Sequence, residues 1–403
     1  MNNEWTKTDL FNPTEEHHHL RSVITSFVQK EVEPQALEYD RAERFNLKLL
    51  QSAAKLGLLG ITVHHDYGGI SNGDFGFDAV ASVIAHEEIS YSDPGFCLAY
   101  LAHSLLCANN LAVNGSHEQK QKFLPKLCSA EFIGAMGMSE PNAGTDVLGM
   151  RTIATKSESG FVINGNKMWI TNGTVDEGQT SCDVALVYAR TNAVDEKRVQ
   201  LSTFIVEKGT KGFSVGQKIR DKTGMRASNT AELVFNQCAV PFTNLVGTEG
   251  DSIIHMMKNL EIERIGLAAM SVGIARRSLD TMINYAKNRK AFNKNLYEFG
   301  QIQRYISESY AELQAARCYL YNTARQYDPK NKNQRLDSDG IKLFATPIGK
   351  NIADRAMQVL GGNGYVGEYV VERLWRDAKL LEIGGGTLEA HQKNITNELV
   401  RSK

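Results

Sequence analysis

The sequence predicts an α+β protein in three stretches: an N-terminal helical domain over residues 1–133, a central β domain over 134–245 and a C-terminal helical bundle domain over 246–403. Three observations carry that prediction. Apolar residues recur at three- and four-residue steps before residue 133 and again after residue 250, the period of a helix buried along one side. Between them the chain switches to short runs rich in Val, Ile, Phe and Thr, bounded by Gly and Asn turns. The length of 403 residues, with 42% hydrophobic and 23% charged side chains, is that of two or three folded domains rather than a disordered or repetitive chain.

Taken in order, the first element starts at Thr14, where a hydroxyl residue precedes Glu15 and Glu16 as helix starts do. Leu20, Val23, Ile24, Phe27, Val28 and Val32 continue it, and Pro34 is expected to end it. Further helical runs cover Leu49 to Leu59, Ala79 to Ile89 and Phe96 to Val113. The β stretch is built from segments such as DVALVYART, STFIVEKG and AELVFNQCAVP. Long helices then return over Ile253 to Asn288 and Gln301 to Tyr327, with GGNGY and GGGT as the main breaks. No internal repeat is seen, and no apolar stretch of about 18 residues that would span a bilayer is expected.

Composition excludes several classes of function. The 45 Lys and Arg nearly cancel the 46 Asp and Glu, so no global field would hold the chain on nucleic acid or an anionic membrane. The cysteines, Cys97, Cys107, Cys128, Cys182, Cys238 and Cys318, form no CxxC pair and have no histidine at zinc spacing, which predicts free thiols in a reducing compartment and no metal site. His17 to His19 are too few for a tag. The first twenty residues lack an apolar core and carry Glu4, Asp9, Glu15 and Glu16, so the expected location is the cytoplasm, or the mitochondrial matrix for a processed eukaryotic chain. A P-loop motif is absent from the sequence.

Two segments invite a ligand. MSEPNAGTDVLGM (138–150) opens the β stretch with Ser139, Gly144, Thr145 and Asp146 beside a Pro-Asn turn, small enough for backbone N–H groups to reach an anionic or heteroaromatic group; the bland alternative is a loop that merely turns. In KMWITNG (167–173), Trp169 and Thr171 fall on one face of a strand by alternation. An aromatic face beside a hydroxyl suits a flat ring ligand, and core packing of Trp169 is the alternative.

With these motifs in view the chain resembles the acyl-CoA dehydrogenases, flavin enzymes that oxidise acyl-CoA thioesters to enoyl-CoA. The resemblance runs through EEHHHLRSVITSFVQKEVEP (15–34), YGG (67–69), GSHEQKQKFLPKL (115–127), MSEPNAGTD (138–146), WITNG (169–173), GMRAS (224–228), RKAF (289–292), VLGGNGY (359–365) and RDAKLLEIGGGT (376–387). It implies an acyl-CoA dehydrogenase-like fold with a central β-barrel or sandwich and a C-terminal four-helix bundle, FAD between the domains, a homotetramer, acyl-CoA as substrate and an electron-transfer flavoprotein as acceptor. Carried over, Met138, Ser139, Trp169 and Thr171 line the flavin, with Thr171 near its reactive N5 edge. Thr145 faces the phosphate or CoA side, and Thr387 joins the cofactor set. A neighbouring subunit contributes Arg289, Phe292, Gln301, Gln358 and the Gly361–Gly362 turn to the adenine half. A guanidinium at Arg289 suits a pyrophosphate, and its bland alternative is a helix-end cation. Ala291 and Asn293 depart from the Thr and Gly common in the family's RKxF segment.

The reaction the resemblance implies needs a carboxylate in a water-poor pocket, where desolvation raises its pKa. Many family members supply Glu from a YEGT-type segment, but here that run reads IGGGT, with Gly384 and Gly385 in place of Tyr and Glu. A minority, typified by isovaleryl-CoA and long-chain enzymes, supplies Glu from an earlier helix just before an Arg. NLEIERIGLAAM (259–270) fits with Glu263 before Arg264. Glu263 shares a helical stripe with Met256, Leu260, Leu267 and Met270, whereas Glu261 neighbours Lys258 and Arg264 and is expected to be a solvated ion pair. Glu382 and the histidines His103 and His391 are read as structural. Gly384 and Gly385 are expected to open volume near the thioester, which favours a short branched acyl-CoA, and Thr145 and Arg264 are the other residues expected on the substrate side. A medium- or long-chain dehydrogenase, an acyl-CoA oxidase or acyl-carrier-protein dehydrogenase, and a non-catalytic flavin-binding protein are the alternatives.

Overall fold

The protein is described here from a computed structural model that covers residues 10–71, 78–192, 199–328 and 334–401; Glu4 and Asp9 lie outside these. Helix α1 (Glu15–Phe27) starts where the sequence places it, with the Thr14 side chain accepting the His17 N–H and two glutamates in the first turn. It does not end at Pro34. The chain passes through a π-helical turn, Val28–Val32, directly into α2 (Glu33–Ala42), with Pro34 in that helix's first turn. The wider π turn carries the hydrogen bonding forward, and a proline in a first turn removes an N–H that would have no standard helical partner. Among the described residues five further α-helices follow before the β stretch, beginning with α3 (Leu47–Lys55), α4 (Ala79–Ser92) and α5 (Pro94–Leu101). Helix α5 runs through a second π segment, Ala102–Asn109, into α6 (Asn110–Asn114), and α7 (His117–Cys128) completes the set.

The continuous helix Pro94–Asn114 is long and apolar enough to cross a membrane, contrary to the sequence expectation. Of its most apolar window, 83% is buried inside the protein, so it serves as the core helix around which the others pack.

Strands β1 (Gly134–Gly137), β2 (Ile153–Lys156), β3 (Gly160–Thr171), β4 (Val184–Arg190), β5 (Leu201–Glu207), β6 (Phe213–Lys218), β7 (Thr230–Pro241) and β8 (Leu245–Val246) form one sheet. Its order is β6-β7-β3-β2-β4-β5-β8, with β1 parallel to β4. Three strand steps separate β3 from β5, about 14 Å in a flat sheet. Yet the rings of Phe161 on β3 and Phe204 on β5 lie 5.0 Å apart. The sheet is therefore curled around its own apolar filling, which includes Phe161, Ile163, Val187, Phe204, Leu233 and Phe235.

Helix α8 (Ser252–Asn288) is followed by a hairpin of β9 (Lys290–Ala291) and β10 (Lys294–Asn295), then α9 (Gly300–Gln326), α10 (Arg335–Leu360), α11 (Val370–Leu381) and α12 (Leu388–Arg401). The helical stretches on either side of the sheet share one core: Ile24, Leu50 and Ile84 belong to the same cluster as Ile265, Leu320, Ile352 and Leu374. Gly273 makes this possible on α8, since a Cβ there would sit 2.4 Å from the Glu87 carbonyl oxygen of α4. The sheet thus rests against a helical body whose central strut, α8, is 37 residues long.

Candidate active site

The loop after β1 is fastened by a buried ion pair. Lys167 on β3, fully buried, donates to Glu140 Oε1 at 2.8 Å and to the Met138 carbonyl at 3.0 Å. The Glu140 carboxylate also accepts the N–H groups of Arg151 (2.6 Å) and Thr152 (3.0 Å). Burial pushes the Lys167 ammonium down to about 8 against the pull of Glu140. Both ends of the 138–152 loop are therefore pinned to β3, and Met168 N–H adds a bond to the Ser139 carbonyl at 2.9 Å. Sequence reasoning passed over this pair. The signal was a lysine in a β run, alongside a glutamate inside the very motif read as a ligand loop.

Strand β3 does not pleat regularly past this point. Its register against β7 slips between Lys167 and Ile170, and Trp169 takes a left-handed φ of 60°. A bulge of this kind re-aims side chains. Ile170 is buried between the accessible Trp169, 54% exposed, and Thr171, so the two share the open side by alternation, and the bulge sets that side opposite to buried Lys167. Asn172 then turns the chain at φ 62° and donates to the Ala99 carbonyl on the core helix at 2.8 Å. Gly144 and Thr145 lie exposed at the rim, and a Cβ on Gly144 would meet nothing within 4 Å. Met138 is buried with Ala143, Met150, Tyr188, Leu201 and Met256, which joins this loop to the start of α8.

On α8 the stripe through Glu263 is apolar: Met256, Leu267 and Met270 are buried and Leu260 partly so. Exposure does not separate the two glutamates, because the helix is buried on all sides from Glu261 to Ala275. Glu261 is 3% exposed and pairs with Lys258 at 3.3 Å, so it is a buried ion pair and not a solvated one. Glu263 is 8% exposed, and its Oε2 is buried with no hydrogen-bond partner among the described residues. Burial pushes its carboxyl up to about 7, against the opposing charges of Arg264 and Lys342.

Glu263 faces the glycine loop between α11 and α12. A Cβ on Gly385 would lie 3.5 Å from Glu263 Cδ and 2.5 Å from Leu267 Cδ1, while one on Gly384 would meet only the Leu380 carbonyl at 3.6 Å. The space a residue 385 side chain would need is therefore filled by Glu263 and Leu267; only Gly384 leaves room. Gly385 also holds φ 66°, which a side chain would strain. Arg264 is 7% exposed and committed to protein groups: Nε donates to the Gly385 carbonyl at 3.3 Å and Nη1 pairs with Asp339 at 2.9 Å. It positions this loop instead of offering a free guanidinium to phosphate, because it projects into the α8–α10 interior. Thr387 spends its hydroxyl on the Ala390 N–H at the start of α12. His391, buried, joins Asp339 through Nδ1 (2.6 Å) and the Gly386 carbonyl through Nε2 (3.0 Å), and Lys342 also donates to that carbonyl. Asp339 and Lys342 are site-forming residues the sequence reading missed. Glu382 pairs with Lys379, and His103 bonds the Leu127 carbonyl and the Gly134 N–H, both structural uses.

Family models for the N-terminal, middle and C-terminal domains of acyl-CoA dehydrogenases match residues 14–131, 135–238 and 253–400. The chain belongs to the acyl-CoA dehydrogenase family. It is 41% identical to a mitochondrial isovaleryl-CoA dehydrogenase of Solanum tuberosum, over 98% of this chain and 92% of the relative. A mitochondrial 2-methylacyl-CoA dehydrogenase of the same plant is 40% identical over 95% of this chain and 90% of its own length. Among solved structures, butyryl-CoA dehydrogenase from Megasphaera elsdenii superposes with a TM-score of 0.90 at 34% identity, covering 96% of this chain and 99% of the other.

In this acyl-CoA dehydrogenase chain the remaining predicted residues lie elsewhere. Arg289 caps the far end of α8, 26 residues and therefore about 39 Å along the helix from Glu263. Next to it Phe292 and Asn293 form the two-residue hairpin turn, both at left-handed φ (52° and 65°), with Phe292 90% exposed. Gln301, Gln358, Gly361 and Gly362 are also exposed, and Met357, Gln358, Gly361 and Tyr365 line a surface cleft of about 210 Å³. Within one chain these groups stand apart from Glu263.

Proposed function

We propose that this protein is an FAD-dependent dehydrogenase that converts a short branched acyl-CoA, such as isovaleryl-CoA, to its trans-2-enoyl-CoA, with Glu263 as the base. The observation that carries the reading is the Glu263 carboxylate: buried, unpaired at Oε2 and raised to about 7, it is poised to take a proton near neutral pH.

The residues present fit a flavin. Trp169 offers an accessible aromatic face, Thr171 a nearby hydroxyl, and Gly144 an approach free of side chains. When bound, FAD supplies the acceptor for the β-hydride. Everything else falls to the chain. Lys167 and Glu140 fix the 138–152 loop, Asn172 ties the Trp169 bulge to the core helix, and Glu263 removes the α-proton as the carbon–carbon double bond forms. The exposed group around Arg289 fits completion of the cofactor site by a neighbouring copy in a homotetramer, and an electron-transfer flavoprotein is the proposed acceptor. The relatives named for isovaleryl- and 2-methylacyl-CoA support a branched substrate.

Anaerobic titration of the purified protein with isovaleryl-, 2-methyl-branched, butyryl- and octanoyl-CoA tests this directly. Branched short chains should bleach the flavin fastest; preference for octanoyl-CoA would overturn the chain assignment, and colourless protein or no bleaching by any thioester would overturn the activity. Oxygen consumption without an added acceptor would identify an oxidase. Glu263→Gln should keep FAD bound and lose about 10²–10⁴-fold in reduction rate, the usual worth of a positioned base.

A further inference from the structure

Lys342 is a fully buried ammonium on α10 whose hydrogen bond goes to a neutral group, the Gly386 carbonyl. It forms no ion pair among the described residues, although a buried cation without a counter-charge is costly. The residue before Gly386 is Gly385, against which the Glu263 carboxyl packs. The other charged groups around this loop are already matched. Arg264 on α8 and His391 on α12 share Asp339 of α10, with Arg335 3.5 Å from its second oxygen; Glu261 takes Lys258 and Glu382 takes Lys379. On β4, the Tyr188 hydroxyl accepts from Asn110 Nδ2 at 3.0 Å and forms no hydrogen bond with Glu263 among the described residues. The two unmatched ionisable groups of the cluster are thus Glu263 and Lys342.

We propose that Lys342 is a positioning residue for the base: anchored on the Gly386 carbonyl, it stations a positive charge beside Glu263 without hydrogen-bonding to it, so that the carboxylate is compensated yet left open to accept a proton. A direct ion pair would occupy the lone pairs that must take the substrate proton. An apolar residue in its place would leave Glu263 uncompensated in a water-poor pocket. The mutual influence agrees with this arrangement: burial pushes Lys342 down to about 8 with Glu263 foremost among the groups resisting, and Lys342 is one of the two cations opposing the rise of Glu263. The inference rests on Glu263 being the base.

Lys342→Gln separates charge from hydrogen bonding, because it keeps a donor for the Gly386 carbonyl and loses the cation; Lys342→Met loses both. The protonated-carboxyl infrared band that Glu263→Gln removes is titrated in each flavin-loaded protein, alongside the pH profile of anaerobic flavin reduction by isovaleryl-CoA. Both Lys342 variants should move the Glu263 midpoint upward by about one pH unit, the usual effect of losing one nearby opposite charge. The rising limb of the rate profile should move with it, a roughly tenfold loss of rate below the midpoint. A midpoint unchanged in both variants, or shifted in Met and restored in Gln, would overturn the proposal and reduce Lys342 to a loop anchor. If Lys342→Met does not fold, the Gln variant decides alone. The infrared titration reads Glu263 without substrate, so it stands even if no thioester bleaches the flavin. Near-normal reduction by Glu263→Gln would remove the base assignment while leaving the infrared result on Lys342 intact.

Discussion

Two glutamates sit on neighbouring helices of one core, and their surroundings could hardly differ more. Glu87 on α4 lies among three guanidiniums, Arg276 Nη1 and Arg317 Nε each 2.8 Å from Oε1 and Arg21 Nη1 3.3 Å from Oε2, and it also accepts the Tyr321 hydroxyl. Burial alone would raise its pKa, but Arg276, Arg317 and Arg21 outweigh it and hold Glu87 at about 2. Glu263 on α8 is buried almost as deeply, accepts nothing at Oε2, and rises to about 7. Burial sets the stakes for both; the hydrogen-bond partners decide which carboxylate holds the fold and which is left reactive.

The comparison can be broken from either side. The largest effect belongs to Glu263→Gln, where the 10²–10⁴-fold loss of flavin reduction should come with no loss of stability above pH 7, because the buried carboxylate is ionised there and its contribution to the fold is gone. Glu87→Gln should do the reverse. Removing the charge strands Arg21, Arg276 and Arg317 with Glu88 as the remaining acid, and breaking a buried ion cluster from one side costs about 3–5 kcal/mol. Urea unfolding should register that loss, while the folded fraction still reduces its flavin within about threefold of the parent; a stable Glu87→Gln would mean the cluster is dispensable.

Gly385→Ala probes the wall Glu263 leans on. The methyl group would enter at φ 66°, 2.5 Å from Leu267 Cδ1 and 3.5 Å from Glu263 Cδ. Left-handed strain of about 1–2 kcal/mol plus the displacement of Leu267 should lower stability by about 2 kcal/mol, with a slower reduction step as the carboxylate is pushed aside. Gly384→Ala, facing open space, should cost under about 1 kcal/mol. Equal costs for the two would show that the loop, not the contact with Glu263, sets the requirement.

Much of this was legible in the sequence, and the misses have physical reasons. Periodicity located α1, α4, α8 and α9 and the change of texture at the sheet because those patterns are local. Pro34 misled because a π turn, a tertiary accommodation, lets the helix run on. Pro94–Asn114 reads equally as a core or a membrane helix, and only its burial tells which. On α8 the stripe argument picked Glu263 over Glu261 through supposed exposure, yet both are buried and the distinction lies in Lys258. Asp339, Lys342 and His391 come from α10 and α12, and no local pattern joins them to Glu263. One trace was readable: Lys342 shares a helical stripe with the buried Ala345 and Gly349, and a charge on such a stripe needs a reason.

The contrast is sharpened most by the pH dependence of stability. Glu87 is depressed from the usual 4.5 to about 2, so its contribution is present above 4.5 and is lost as pH falls toward 2. Glu263 is raised from 4.5 to about 7, so its contribution is full below 4.5 and is lost as pH rises through 7. The two glutamates therefore tilt the stability curve in opposite directions on opposite sides of 4.5. Each can supply a slope of at most about 1.4 kcal/mol per pH unit. Glu263→Gln should flatten the decline between 4.5 and 7 and leave the acid side untouched. That flattening should be incomplete, because Asp377, lifted by burial to about 7 with Asp40 beside it, declines over the same range. Glu87→Gln should flatten the acid side alone. Urea midpoints collected from pH 3 to 8 (roughly the accessible span) decide the matter: if both variants change the same limb, the two carboxylates do not differ in the way their partners imply.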